Sequence, residues 1–345
     1  MTIRWGIIGC GDVCEIKSGP GFQKAEGSEL VAVMRRDGSK AADFAKRHNV
    51  PRSYDDAQKL IQDPDVDAVY VATRPGSHLH YALEVAAAGK PCYMEKPMAR
   101  SARECREMVS AFAERNAPLF VGYYRRCLPK YLKLKELIEN GVVGDIREVS
   151  YTLMERPTAG MTAENMPWRW KAEESGGGLI LDMGCHALDL LDYLLGPAQK
   201  VSGRVRRIGR VADVEDRVEL LWTADKAVKG FARFSFTERD NPEDEFEIVG
   251  TEGKLFAPCF QPGPIVIEDR KGKRELLDIP HPEHVHQPMI QTVVDELRGK
   301  GSCPSTGKTA LRTSEIMDAV LNDYYGGRDD AFWERPETWP GRDKG

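Results

Sequence analysis

The sequence predicts two domains of different class. The first is an α/β domain built on a doubly wound parallel sheet, and the second an α+β domain with a large, mostly antiparallel open sheet. Three observations carry this. Short apolar runs alternate with helical stretches as far as residue 122. The first run ends in a cluster of glycines. Beyond 122 the rhythm changes to helical segments and a series of strands separated by turn residues. The 345 residues accordingly divide into domains at 1–122 and 123–345, with the C-terminal tail able to pack back on the first.

Residues 3–9 form a compact apolar run of the kind buried in parallel sheets. A helical stretch interrupted at Gly19-Pro20-Gly21 follows, then a strand at 29–34 and a helix at 38–48. A short helix at 55–61 leads to a third strand at 66–72, a helix at 78–88, and a fourth strand at 91–94. A helix at 101–116 and a fifth strand at 118–122 complete the domain. The second domain reads as a helix at 128–140, a long strand at 146–154, and a helix at 179–195. Strands are predicted at 200–210, 215–223, 228–237, 244–250 and 264–278, with Thr251-Glu252-Gly253 as a hairpin turn. Helices at 286–299 and 306–323 precede a tail containing Trp and Pro.

The formal net charge of −5 gives no pull toward nucleic acid or acidic lipid. No apolar run approaches the roughly 20 residues that span a bilayer. Residues 1–9 run straight into a strand, which leaves no room for a signal peptide. The eight cysteines are scattered without a CxxC pair, as small buried side chains kept reduced. A cytoplasmic location is expected.

The glycine cluster reads Gly6-Ile7-Ile8-Gly9-Cys10-Gly11-Asp12-Val13-Cys14. Gly9 permits a tight turn out of the strand, and Gly11 lets backbone approach a pyrophosphate. Asp12 and Val13 open the next helix, whose N-terminal N–H groups and dipole favour phosphate. Cys14 stands where the dinucleotide fingerprint has Gly or Ala. The setting, between a strand and a helix of a βαβ unit, makes this a Rossmann cofactor turn. The second strand ends Met34-Arg35-Arg36-Asp37. Two guanidiniums suit a 2′-phosphate and point to NADP, while Asp37 as an acceptor for a ribose hydroxyl keeps NAD open.

Three further motifs follow in order: Ala72-Thr73-Arg74-Pro75-Gly76-Ser77-His78, then Glu95-Lys96-Pro97, then Gly176-Gly177-Gly178 through Asp182 to His186. With the glycine turn and Gly122-Tyr123-Tyr124-Arg125-Arg126, they resemble the glucose–fructose oxidoreductase/inositol dehydrogenase/rhizopine-catabolism family, written Gfo/Idh/MocA. The resemblance covers nearly the whole chain. It implies a nicotinamide-dependent dehydrogenase or reductase acting on a polyhydroxylated small molecule such as a sugar, inositol or cyclic diol. It also implies assembly into a homo-oligomer, a dimer or tetramer.

On position alone, Lys96 reads as a surface lysine at a strand end. The resemblance places it beside the nicotinamide and the reacting oxygen, after Glu95 and before a Lys–Pro bond that is often cis. A lysine there stabilises developing negative charge. Asp182 and His186 are four apart on an otherwise apolar helix, so they share a face, and Asp189 continues the stripe. Such a stripe calls for a cleft. His186 suits proton transfer to and from a hydroxyl, with Asp182 aligning substrate or imidazole. The resemblance puts Thr73, Arg74 and His78 against the cofactor. It makes Tyr124, Arg125, Trp168 and Arg169 candidates for the substrate side.

Two other patterns carry less. Residues 301–309 resemble a P-loop, but the spacing is one residue too long and no strand precedes it, so a helix start after Thr306 is expected. His281, His284 and His286 read as a loop near the site and not as a metal centre, since hydride transfer requires no metal. Two alternatives stay open. The site could drive redox-assisted glycoside cleavage with tightly held NAD, or the chain could be an NADP-binding regulator without chemistry.

Overall fold

The computed structural model describes residues 1–224, 227–238 and 240–342, so the last three residues of the second predicted domain lie outside the described ones. The chain divides into two compact units. One holds Met1–Leu128 and His281–Leu311, the other Pro129–Pro280 and the chain from Arg312 onward.

The first unit runs β1 (Ile3–Ile8), α1 (Asp12–Ile16), α2 (Gly19–Lys24), β2 (Ser28–Met34), α3 (Gly38–Arg47), β3 (Arg52–Tyr54), α4 (Ala57–Ile61), β4 (Ala68–Val71), α5 (His78–Ala87), β5 (Cys92–Met94), α6 (Ala102–Glu114) and β6 (Leu119–Val121). Among the described residues these strands form one parallel sheet in the order β3-β2-β1-β4-β5-β6. Its inner strands β4 and β5 are buried at every position, as parallel strands covered on both faces must be. The sequence reading missed β3. Its residues Arg52, Ser53 and Tyr54 form no apolar run, because an edge strand is held by main-chain bonds to one neighbour, here β2. The opposite edge is closed by Ser305, whose carbonyl accepts from Val121 N (3.1 Å) and whose hydroxyl donates to Val121 O (2.8 Å).

The second unit runs α7 (Pro129–Glu139), β7 (Ile146–Met154), α8 (Ala172–Ser175), a π-helical turn (Ile180–Gly184), α9 (Cys185–Leu195), β8 (Gln199–Arg206), β9 (Arg217–Thr223), β10 (Lys229–Ser235), β11 (Glu243–Gly250), β12 (Gly253–Ala257), β13 (Ile265–Asp269) and β14 (Arg274–Leu277). The strands form an eight-stranded sheet among the described residues, in the order β14-β13-β12-β11-β7-β10-β9-β8. The β7–β10 pair is parallel and the other pairings are antiparallel. Val149, Tyr151 and Leu153 of β7, Val218, Leu220 and Trp222 of β9, and Phe246 and Ile248 of β11 supply the buried face at period two. Thr251 and Glu252 make the expected hairpin turn, but it leads into a strand, β12, that the sequence reading left out. The segment at 264–278 is two strands around a turn whose Asp269 carboxylate accepts from the N–H groups of Lys271 and Lys273.

Past this sheet come α10 (Gln287–Leu297) and α11 (Gly307–Tyr325). Although sequence order attaches α10 to the second domain, it belongs to the first unit. Its Met289, Ile290, Val293 and Val294 join Trp5, Phe22, Tyr70 and Tyr93 in one core cluster. Burial of that apolar face, worth roughly 1.5–3 kcal/mol per large side chain, outweighs chain order. The P-loop-like stretch is a helix start. Thr306 and Thr309 exchange side-chain and backbone bonds at the N-terminus of α11 (3.0 and 3.3 Å).

Candidate active site

In the first unit the carboxyl ends of five strands carry the residues singled out above, on the edge where open α/β sheets bind ligands. After β1, Gly9 adopts φ +89°, and a Cβ there would meet Thr73 Cγ2 at 2.7 Å. Glycine is therefore required twice over, by the turn and by the close approach of Thr73. Gly11 differs: an added Cβ would find no neighbour nearer than Gly9 O at 3.9 Å. That open space beside the start of α1 is the kind of cradle a dinucleotide pyrophosphate fills, so these residues fit the cofactor. Asp12 is exposed and Val13 half-buried against the core cluster.

After β2, Arg36 is exposed and Arg35 half-buried. Asp37 is engaged by the next helix. Its carboxylate caps α3, accepting from Ser39 N (3.2 Å), Lys40 N (3.3 Å) and Ser39 Oγ (2.6 Å). These bonds hold its pKa below the ordinary aspartate value, with the Ser39 hydroxyl the largest cause.

After β4, Thr73 accepts from Ser77 Oγ (2.9 Å), and Arg74 is exposed. His78 is fully buried. Its Nδ1 lies 3.1 and 3.2 Å from the carbonyls of Pro97 and Met98, and its Nε2 lies 3.0 Å from Thr73 O. Burial lowers its pKa. The ring thus ties the loop after β4 to the loop after β5.

After β5, the Lys96–Pro97 bond is cis. Glu95 turns inward, where its Oε1 accepts from Tyr70 OH (2.5 Å) and its Oε2 from Lys96 N (3.1 Å). Burial raises the Glu95 pKa, and the Tyr70 hydrogen bond and the nearby Lys96 charge work against that rise. After β6, Arg125 donates to Tyr124 OH (2.9 Å), with its guanidinium 5.1 Å from the centre of that ring. The Tyr124 ring in turn lies 4.4 Å from that of His286.

In the second unit, α8 ends at Gly176 in the left-handed region (φ +88°). A Cβ on Gly178 would overlap the Glu215 carbonyl, and one on Gly177 would crowd Leu181, Tyr325 and Glu215. The glycine triplet is there to pack backbone against this buried group. Glu215 accepts from Gly178 N (2.9 Å) and from the Tyr325 hydroxyl, and burial pushes its pKa up to about 7. The π turn then presents Asp182, held by Arg169 Nε at 2.8 Å, while Arg169 lies 4.3 Å over the Trp168 ring. One step on, His186 is buried with its ring edge-on to Phe260 (5.9 Å, 74°). The predicted polar stripe stops there. Asp189 is in the core and accepts from Thr313 Oγ1 (3.3 Å), and Asp192 pairs with Arg312 through two bonds of 2.7 Å. Those two carboxylates fasten α9 to α11.

Three kinds of similarity to known proteins bear on the chain. Residues 3–123 match the NAD-binding Rossmann-fold domain of the Gfo/Idh/MocA oxidoreductases, and residues 131–256 match a C-terminal domain of the same proteins. The chain belongs to the Gfo/Idh/MocA family. It is 37% identical over 317 residues to an oxidoreductase of Formosa agariphila, covering 92% of this chain and 97% of that protein. It is 31% identical over 270 residues to the trans-1,2-dihydrobenzene-1,2-diol dehydrogenase of Mus musculus, covering 75% and 77% of the two chains. A crystallised levoglucosan dehydrogenase, in complex with NADH and levoglucosan, shares the fold at a TM-score of 0.80 and 21% identity, covering 93% of this chain and 97% of that one. This Gfo/Idh/MocA chain is thus an oxidoreductase with an NAD-binding Rossmann domain. Among the described residues no helix is long and apolar enough to cross a membrane.

Within each unit of this Gfo/Idh/MocA chain, sequence reasoning gave no role to several polar groups. His286 is singled out with His281 and His284 as part of a loop near the site and is 1% exposed, and Glu215 sits in an unremarked turn yet is equally buried. Asp244 gathers the N–H groups of Cys259, Phe260 and Gln261 (3.0, 2.6 and 2.6 Å) and so sets Phe260 against His186. No local pattern marks Glu215 or Asp244, because each is defined by partners far away in sequence. His284 is held at Ile16 O (2.7 Å) and Lys24 Nζ (2.6 Å), which pins the 281–286 segment to the first unit.

Proposed function

We propose that the chain transfers hydride between a nicotinamide and a hydroxyl or carbonyl of a sugar, inositol or cyclic diol, with NADP preferred over NAD. The observation that carries this reading is Lys96 at the carboxyl edge of the same parallel sheet whose Gly9–Gly11 turn leaves open space for a pyrophosphate. The nicotinamide, when bound, carries the hydride. Lys96 donates a hydrogen bond to the reacting oxygen and stabilises charge developing there. His186 takes the hydroxyl proton at a ring nitrogen during oxidation and returns it during reduction. Asp182, fixed by Arg169, aligns the imidazole or a neighbouring hydroxyl. Arg35 and Arg36 hold the 2′-phosphate, and Gly11, Asp12, Val13, Thr73 and Arg74 border the dinucleotide. Glu95 and His78 serve it by fixing the loops that carry Lys96 and Thr73. Tyr124, Arg125, Trp168 and Arg169 border the substrate.

A cytoplasmic location is supported by the eight cysteines, all buried and free. A homo-oligomer, dimer or tetramer, is supported by Leu221 and Leu276, large apolar side chains exposed on strands of the eight-stranded sheet. Light scattering on the purified protein tests that. The decisive experiment is a panel of sugars and diols with NADP and NAD, read by reduced-nicotinamide absorbance, on wild type, Lys96→Met and His186→Ala. Both variants are expected to bind NADP and to lose roughly 100-fold or more in turnover. Unchanged turnover in either removes its assigned role. Cofactor retained through purification with no net turnover points instead to redox-assisted glycoside cleavage. Binding without activity across the panel points to a regulator.

A further inference from the structure

His286 takes no part in the mechanism above, yet it stands at its centre in the first unit. Its side chain is 2% exposed and that of Glu95 8%, with His286 Nε2 3.6 Å from Glu95 Oε1. Its Nδ1 is 3.3 Å from the Tyr93 hydroxyl, and its ring packs on Tyr124, which bonds Arg125. Its own backbone N–H donates to Lys17 O (3.2 Å), so the end of α1 holds it in place at the N-cap of α10.

We propose that His286 is a positioning residue for Lys96, acting through the Glu95 carboxylate. The tautomer follows from the partners. Burial keeps the Tyr93 hydroxyl protonated, so it donates to Nδ1, and the imidazole proton sits on Nε2 facing the carboxylate. Burial, with Lys17, Lys96 and Arg125 nearby, pushes the ring pKa down to about 3, so His286 stays neutral. A neutral donor is what a buried carboxylate needs on its inner side: it favours the ionised form without adding a charge to desolvate. The distance is too long for a full hydrogen bond, so the effect is that of an oriented dipole. Tyr70 donates to the same Oε1, and Lys96 N–H to the other oxygen. Among the described residues, His78, Cys14 and Tyr93 also carry titratable groups near Glu95. These contacts hold the direction of the carboxylate beneath the Lys96 turn and work against the rise that burial imposes on its pKa, and His286 links that turn to Tyr124 and Arg125.

This inference rests on the role proposed for Lys96, and its test separates the two. The proteins compared are wild type, His286→Phe, which keeps bulk and loses the donor, and His286→Gln, which keeps a donor near the Nε2 position. The readouts are the pH profile of kcat, the NADP dissociation constant by tryptophan fluorescence, and the infrared carboxyl band of Glu95, assigned with Glu95→Gln. In His286→Phe the Glu95 band and the acid limb of kcat are expected to move together to higher pH by roughly one unit. The NADP dissociation constant stays within about twofold, and His286→Gln restores most of the profile. If His286→Phe fails to fold, Tyr70→Phe carries the test, since it removes a donor to the same oxygen and must shift both readouts the same way. A Glu95 band that does not move in the variant that folds overturns the proposal. If Lys96→Met retains turnover, the functional reading fails first. If Lys96→Met is inactive and the acid limb of His286→Phe stays fixed, this inference alone fails.

Discussion

Arg169 donates from Nε to Oδ2 of Asp182 across 2.8 Å, joining a loop residue to the π turn that leads into His186. The arginine is about half exposed and stacks on Trp168. An exposed pair of this kind contributes about 0–1 kcal/mol to stability. Its value lies in direction, since a carboxylate at a wider π turn needs an external partner to keep one rotamer.

Arg169→Leu should therefore lower kcat about tenfold while the urea midpoint moves by less than about 0.5 kcal/mol equivalent. Asp182→Asn keeps the shape but loses the charge, and should lower kcat by a similar or larger factor. Steady-state kinetics beside urea denaturation check both. A loss of stability that matches the loss of activity would make the bond merely structural.

The two glycines of the first turn should behave oppositely. Gly9→Ala forces a left-handed φ on alanine and drives its Cβ toward Thr73, so it should destabilise by roughly 1–2 kcal/mol or more. Gly11 has extended backbone (φ −101°, ψ −158°) and open space around it, so Gly11→Ala should fold as wild type does. Its methyl occupies the proposed pyrophosphate space, and the KM for NADP should rise roughly tenfold or more. Thermal melts and cofactor titrations separate the two effects.

Asp37 and its neighbouring arginines divide the cofactor question. The Asp37 carboxylate is engaged as the cap of α3, so Asp37→Ala should cost about 1 kcal/mol of stability. It should change the KM for NAD little. Arg35→Ala with Arg36→Ala should raise the KM for NADP by about 10- to 100-fold and leave NAD nearly untouched. Equal effects on both cofactors would remove the 2′-phosphate assignment.

What the sequence makes legible follows from range. The apolar runs at β1, β2, β4 and β5 are local patterns, and the fold of the first sheet follows from them. The four-residue spacing that puts Asp182 and His186 on one helix face is local too. Asp189 looks the same from that spacing, yet Thr313, far along the chain, takes it into the core. The edge strand β3, the docking of α10 on Trp5 and Phe22, and the turning of Glu95 toward Tyr70 all depend on distant partners. Periodicity carries no trace of them.

Glu215 supplies a prediction that does not depend on substrate. Burial pushes its pKa up to about 7 from an ordinary 4.5, and the bonds from Tyr325 and Gly178 and the nearby Arg328 charge offset this only in part. Between pH 4.5 and 7 the folded protein holds a proton that the unfolded chain has released. Its contribution to stability is therefore lost as pH rises through that window, by about 3 kcal/mol in all. Glu215→Gln keeps an acceptor for Gly178 N–H and cannot ionise. Urea unfolding at pH 5 should find the two proteins nearly equal, and at pH 7.5 the variant should be the more stable. Parallel curves would mean that Glu215 titrates normally. In wild type, the same ionisation places a charge beneath the glycine triplet that leads into Asp182, so kcat in Glu215→Gln should lose part of its dependence on pH near 7.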